Sequence, residues 1–570
     1  MKNCLFKYKS HLATAFIGLC LVSTGCTDKF EEINTDPKGV DDSVTDMVDK
    51  IQSPLDNIIP PQEHRYQLWA NLTTDIFAGF MMGVNDFGGS NNYNYQLRPD
   101  HCAQTYDDFY LYVFKYTSQY IPQCKALERF ELAAMMQIAN VAAILPVVTS
   151  YGPAQYSCVL EGSDTYYYDS EETIYKRLFQ DLKEAVEWLK DFRDSSPSQD
   201  LLDDFKRADK VCDGDIDKWI KFANTLRLRI AMQLVKVYPD SQKEAEDAVR
   251  DGVLTNSDVV LKSGLMLFRI EDLWNDTRAN ANIISILQGY SDPRLERWFA
   301  TNNADIYSTD DELSPVVEKA TKYLGVRQGV PMTRTEYQGY SKTSRVGIPE
   351  QGPRPVLRVA EAYFLRAEGM LRNWNMGDGT PESLYNEGIH SAWASVLGDE
   401  SGWAGTYESY INGFINTEEG GDFDWELFEG GFGSAPYINY RNQEYNYYIE
   451  ENGKQVGINR ISVRWHDEDS PEKKLQRIIT QKWISFFPTL SSVAWTEYRR
   501  TGYPKLIPIP SDLNYSNGAI DTELQIRRLP FTQSEYRGNT EEVNKALGLL
   551  KGPDNGGTRL WWDVDKGNFE

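Results

Sequence analysis

Cys26 carries the most specific chemistry in this chain, because Ser23, Thr24 and Gly25 stand directly before it. Small residues ahead of a cysteine resemble a lipobox, in which the thiol takes a diacylglycerol and the cysteine becomes the mature N-terminus. Leu usually stands three places before such a cysteine, and here that place is Ser23. A second set of side chains suits binding rather than bond-breaking. It comprises Tyr93, Asn94 and Tyr95 in a Gly/Asn-rich stretch, Trp274, Asn275 and Arg278 in a polar one, and Trp425, Tyr437 and Tyr440 further on. Rings on surface loops offer flat amphipathic faces, and adjacent amides and guanidinium groups supply directional hydrogen bonds.

Catalytic and metal chemistry is poorly supplied. The histidines His11, His64, His101, His390 and His466 are scattered, with no H-E-x-x-H and no other metal-ligand spacing. There is no G-x-S-x-G elbow. The run Asp213-Gly214-Asp215-Ile216-Asp217 resembles part of a calcium loop, but no Glu closes it at the twelfth position. It reads better as the cap of a helix that carries Trp219. No cofactor is expected, with a structural calcium ion elsewhere left open. Carboxylates are abundant enough for a glycosidase pair, so a secreted helical glycoside hydrolase is the alternative to a binding protein. At a formal net charge of -25, however, abundant carboxylates need no catalytic explanation. The preferred reading is not an enzyme.

The first residues say where the chain goes. Lys2, Lys7 and Lys9 precede an apolar run, Leu12 to Val22, and then the small residues before Cys26. That order is a secretory signal over residues 1–25. The run is far shorter than the ~20 residues that span a bilayer. Residues 26–45 read as an acylated, polar, acidic tether, and several acyl chains on one residue anchor stably. The membrane is therefore expected to be met through the lipid alone. Ala133 to Val148 comes nearest to a spanning segment, but Gln137 and Asn140 interrupt it and Pro146 ends it. With 84 Asp and Glu against 59 Lys and Arg, nucleic acid is excluded as a partner by charge. Cys102, Cys124, Cys158 and Cys212 fit either two disulfides or buried thiols.

The elements that position these residues are mainly α. Apolar residues recur at helical spacing in Trp219–Val237 (Trp219, Phe222, Leu226, Ile230, Leu234) and in Thr173–Lys190 (Ile174, Leu178, Leu182, Val186, Leu189). Ser170, Glu171 and Glu172 supply a start for the second of these. Arg358–Arg372 and Leu475–Leu490 show the same rhythm, with Glu368 and Arg372 four apart on what reads as the polar side of the third. Strand-like alternation is scarce. The rhythm predicts stacked helical pairs within one domain over 46–570, with loop-rich insertions near 86–104, 271–350 and 402–460. Loops this long in a compact protein are more often functional than incidental. Trp219, Trp483, Trp495, Trp561 and Trp562 are expected to be structural.

Several segments together resemble the SusD/RagB family. They are Phe30–Pro37 (FEEINTDP), Asn71–Tyr95, Tyr151–Ser157 (YGPAQYS), Asp217–Leu234, Arg358–Leu371, Ile478–Leu506, Ile526–Asn539 and Leu560–Asp563 (LWWD). Ala154-Gln155 departs from the family's more frequent Ile-Pro, and the acidic tether resembles the surface-export signal of Bacteroidetes lipoproteins. The resemblance implies a SusD-like α-α superhelix of tetratricopeptide-like helical pairs. It also implies an outer-membrane lipoprotein exposed at the cell surface, lidding a TonB-dependent, SusC-like transporter. Such proteins capture oligosaccharides or, in some branches, peptides, and pass them to the barrel without altering them.

Overall fold

The computed structural model describes residues 46–265, 269–290, 292–301, 352–397 and 461–570. It also describes residues 323, 325–329, 340–344 and 348, and the strands Ile449–Glu451 and Lys454–Val456. The chain divides into two units, Met1–Lys50 and Ile51–Glu570. In the first, Met47–Lys50 forms a helical turn. The architecture lies in the second.

Helix α1 (63–78) runs through Glu63–Tyr66, the π-helical Gln67–Thr74 and Asp75–Ala78. The Gln62 side chain caps its start, and Gly79 ends it with a left-handed φ of 77° that a side chain would resist. α2 (99–126) opens with Pro99, whose missing N–H costs nothing in a first turn, and includes a π-helical stretch at Phe109–Phe114. There follow α3 (Phe130–Tyr151), α4 (Glu171–Asp194), α5 (Ile216–Gln233), α6 (Ser241–Arg250), α7 (Val359–Leu371), α8 (Pro381–Leu397), α9 (Pro471–Ser485) and α10 (Ser491–Thr501). α2 packs on α3, α3 on α4, α4 on α5, α5 on α6 and α7, α7 on α8, and both of these on α9. This is the helical-pair scaffold that the periodicity predicts.

Sequence explains the packing. Nearly every residue of α3 is buried, so it has no polar face; it is a core helix between α2 and α4, which accounts for its membrane-like hydropathy. Its polar interruptions are satisfied internally. Asn140 accepts from the Thr117 hydroxyl at 3.0 Å and donates to Tyr156 Oη at 3.0 Å, while Gln137 donates to the Asp181 carbonyl at 2.7 Å. The α4 stripe faces inward as predicted, each buried Leu or Ile contributing roughly 1.5–3 kcal/mol. Ser170 caps α4 by accepting from Thr173 N, and Asp215 caps α5 by accepting from Lys218 N.

One expectation about α7 needs correcting. Glu368 and Arg372 do pair at 2.8 Å, but Glu368 is fully buried, because Arg500 of α10 binds the same carboxylate at 2.6 and 2.7 Å. Arg500 also binds Glu497, which Lys482 of α9 approaches at 3.3 Å. The predicted polar side is thus an ion cluster joining three helices. Trp219, Trp483, Trp495 and Trp562 are buried as expected, Trp483 donating to the Ala78 carbonyl and Trp495 to that of Ile526, whereas Trp561 is half-buried. Cys102, Cys124, Cys158 and Cys212 are buried free thiols, which resolves the choice left open by sequence.

Strands are short. β1 (Met81–Gly83), β2 (Val259–Leu265), β3 (Thr277–Ala279) and β4 (Gly352–Leu357) form two antiparallel pairs, β1 with β3 and β2 with β4. Ile449–Glu451 pairs with Lys454–Val456.

Candidate functional site

The β1–β3 pair brings together two loops nearly two hundred residues apart. Met81 faces Ala279, Met82 faces Arg278 and Gly83 faces Thr277, and Val84 N extends the ladder to the Asp276 carbonyl at 2.9 Å. Because the strands are antiparallel, the chain leaving β1 and the chain entering β3 emerge at the same end. Residues 84–98 and 270–276 therefore lie side by side, next to the first turn of α1.

The second loop is built to present Trp274. A π-helical turn, Arg269–Leu273, precedes it, Trp274 N bonds the Arg269 carbonyl at 2.9 Å, and Asn275 turns the chain with a left-handed φ of 58°. Leu273 is 67% exposed and Trp274 half-buried, so an apolar edge faces water. The indole meets the exposed His64 ring of α1 edge-on, with centroids 6.2 Å apart. His101, in the first turn of α2, meets Phe87 in the same manner at 5.2 Å. Burial pushes the His101 imidazole down to about 4, with Arg98 and His64 adding to the effect, so it is neutral at physiological pH. Beyond His64, the Arg65 guanidinium sits 3.6 Å over the ring of Tyr112, which is 39% exposed, and binds Asp108 at 2.7 Å.

Polar groups lie between the two loops. Asp276 accepts from Gln67 Nε2 at 2.7 Å and from Asn85 Nδ2, leaving the buried Asn85 Oδ1 without a donor among the described residues. Asp86 accepts from Gly89 N at 2.7 Å and from Asn91 Nδ2 at 3.4 Å, and Asn91 Oδ1 is likewise buried without a donor among the described residues. Two further contacts anchor the Trp274 loop. The buried Glu271 carboxylate accepts from Thr343 N at 3.0 Å and from the Thr343 hydroxyl, and Asp272 binds Lys342 at 2.9 Å. Rings beside amides and carboxylates can pack against C–H faces while exchanging hydrogen bonds with hydroxyls.

The residues expected from sequence divide sharply. Trp274 and Asn275 are at this surface, but Asn275 Oδ1 is occupied by Arg278. Arg278 itself is fully buried, donating to the Thr277 carbonyl at 2.6 Å, because it sits on β3 and holds the turn rather than facing a ligand. Tyr93, Asn94 and Tyr95 are also buried, at 5%, 6% and 2% exposure. They form a 3-10 turn closed by the left-handed Tyr95, and the Asn94 carbonyl accepts from Tyr515 N at 2.9 Å, so they anchor the loop from beneath. The ring that reaches the surface in that loop is the half-buried Phe87. Trp425, Tyr437, Tyr440 and Cys26 lie outside the described residues. Asp213, Asp215 and Asp217 do not converge: they meet Lys262, the N-terminus of α5 and Arg193 respectively.

Sequence reading missed His64, Arg65, Asn85, Tyr112 and Asp276. Asn85 borders the loop-rich stretch 86–104, and Asp276 lies within the stretch that begins at 271. His64, Arg65 and Tyr112 belong to helices, and nothing local marks them.

A family model described as Susd and RagB outer membrane lipoprotein, SusD-like, matches residues 32–407 and 432–563. Among solved structures, a chitin-binding SusD homologue from Flavobacterium johnsoniae has a TM-score of 0.76 at 32% identity, covering 92% of this chain and 100% of that one. A SusD homologue from Bacteroides vulgatus has a TM-score of 0.76 at 28% identity, covering 92% and 98%. One from Bacteroides thetaiotaomicron has 0.73 at 27%, covering 92% and 100%. No curated protein matches the sequence.

Proposed function

The chain belongs to the SusD-like family of Susd and RagB outer membrane lipoproteins, and on that premise we propose that it captures oligosaccharides at the cell surface and passes them to a SusC-like, TonB-dependent transporter. Acyl chains on Cys26 hold it to the outer membrane. No catalytic step and no cofactor are assigned to it.

The observation that carries this reading is the β1–β3 ladder. It sets Trp274, His64 and Phe87 around Asn85 and Asp276, with Tyr112 and Arg65 continuing the ring surface along α1 and α2. Sugar rings present C–H faces to such a surface, and their hydroxyls need polar partners such as the exposed Asp86 carboxylate. A chitin-binding relative makes N-acetylglucosamine oligomers the first ligands to try.

The test is calorimetry on the detergent-solubilised lipoprotein with chitohexaose, a starch hexasaccharide and a basic peptide of similar length. Trp274→Ala weakens saccharide binding by roughly tenfold, the loss of one well-packed ring, without lowering thermal stability. Heat from the peptide alone, or saccharide affinity unchanged from the parent in both Trp274→Ala and Tyr112→Ala, would refute the assignment.

A further inference from the structure

A cavity of about 670 Å³ opens beside the C-terminus of α10, built from residues that the ring surface does not use. Its charge runs against that of the whole molecule. Eight of its lining side chains are Lys or Arg and three are Asp or Glu, in a chain of net charge -25. Carboxylates behind the wall (Glu368, Glu497 and Asp563) take up part of this. Arg372 and Lys482 share them, however, so among the described residues an excess of positive over negative charge still gathers here.

Two of the cations are bonded to neutral acceptors. Lys236 Nζ donates to the Arg500 carbonyl at 2.8 Å and to the Lys566 carbonyl at 2.9 Å, which leaves one of the three ammonium donors over. Burial, reinforced by Arg500 and Arg372, lowers its pKa to about 8. Arg499 donates to the carbonyls of Trp495, Thr149 and Arg527 and to the Thr496 hydroxyl, and lies 3.5 Å over the Trp495 ring. Two wall groups lack a partner among the described residues. They are the donor Nε of Arg500 and the acceptor Oδ1 of Asn568, both buried in the wall. Lys566 stands exposed at the mouth.

We propose that this cavity is a second ligand site, which takes the carboxylate or sulfate group of an acidic saccharide. An excess of cations in a low-dielectric cleft focuses a positive potential that a neutral sugar leaves unanswered. An oxyanion answers it with charge-assisted bonds to the Lys236 ammonium and to Lys566 at the mouth, while the buried Arg500 guanidinium adds its field from behind the wall. The acceptor on Asn568 matches a sugar hydroxyl, which an inorganic anion does not carry.

The experiment is calorimetry on the detergent-solubilised lipoprotein with trigalacturonate, inorganic sulfate and neutral chitotriose. Trigalacturonate should bind more tightly than sulfate, and Lys566→Glu should weaken it by about tenfold while leaving the melting temperature and chitotriose binding unchanged. Lys236→Met should weaken it at least as much, and salt should weaken it in the parent. Trp274→Ala should leave trigalacturonate affinity intact, so the two sites fail or stand separately. The proposal is overturned if trigalacturonate gives no heat at about 1 mM, or if Lys566→Glu and added salt leave its affinity unchanged. Sulfate binding as tightly as trigalacturonate would overturn the saccharide assignment.

Discussion

Replacing Glu271 by Gln removes a titrating group from the tether that holds the Trp274 loop. In the folded protein burial raises this carboxyl to about 7, with the Thr343 hydrogen bonds opposing the rise. When the loop opens, the group returns to its ordinary value near 4.5. A carboxyl raised in the closed state keeps its proton more firmly there than in the open one. Its contribution to closure is therefore complete below pH 4.5 and is lost as pH climbs through about 7. A gap of about 2.5 units corresponds to about 3 kcal/mol, or roughly two orders of magnitude in the opening equilibrium. Hydrogen exchange of the segment 270–276, corrected for intrinsic rates and compared at pH 4.5, 6 and 7.5, measures it directly. Protection in the parent should fall steeply across that range, and protection in Glu271→Gln should stay flat. Parallel profiles would refute the linkage between this carboxyl and the loop.

Two other outcomes follow from buried groups. Burial alone would raise the Glu368 carboxyl, but Arg500 and Arg372 outweigh it and hold it well below the usual carboxylate range. Glu368→Gln leaves two buried guanidinium groups undercompensated, and urea unfolding should show a loss of about 3–5 kcal/mol; a loss under about 1 kcal/mol would contradict the cluster. Cys102, Cys124, Cys158 and Cys212 should ignore a thiol reagent in the native protein and all react in urea, with burial pushing the Cys102 thiol up to about 12. Native mobility that changes on reduction would mean a disulfide instead.

The helices were legible because their information is local. A stripe such as Ile174, Leu178 and Leu182 buries itself wherever its partner lies, and Ser170 and Asp215 announce helix starts within three residues. The site was only partly legible. Composition pointed to the Trp274 stretch, and its indole does reach the surface. The same cue failed for Tyr93, Asn94 and Tyr95, because a polar, Gly-rich loop can still turn its rings inward when another segment, here Tyr515, lies over it. His64, Arg65 and Tyr112 were invisible because their partners lie on other segments, Trp274 for His64 and each other for Arg65 and Tyr112, and Glu368 looked exposed because its partner Arg500 is 132 residues away.

The β1–β3 register spans three residue pairs, with Val84 N and Asn280 N extending it by one bond at each end, and among the described residues the two strands form a two-stranded sheet. The helical stack therefore constrains the buried Asn92–Tyr95 turn but places few demands on the exposed residues on either side of that short splice. Grafting 85–91 and 272–276 from a relative, with the buried Asn92, Tyr93, Asn94 and Tyr95 kept, should exchange ligand preference as a unit while the hydrophobic interior stays as it is. Recognition and folding are in this respect stored in separable stretches of the gene.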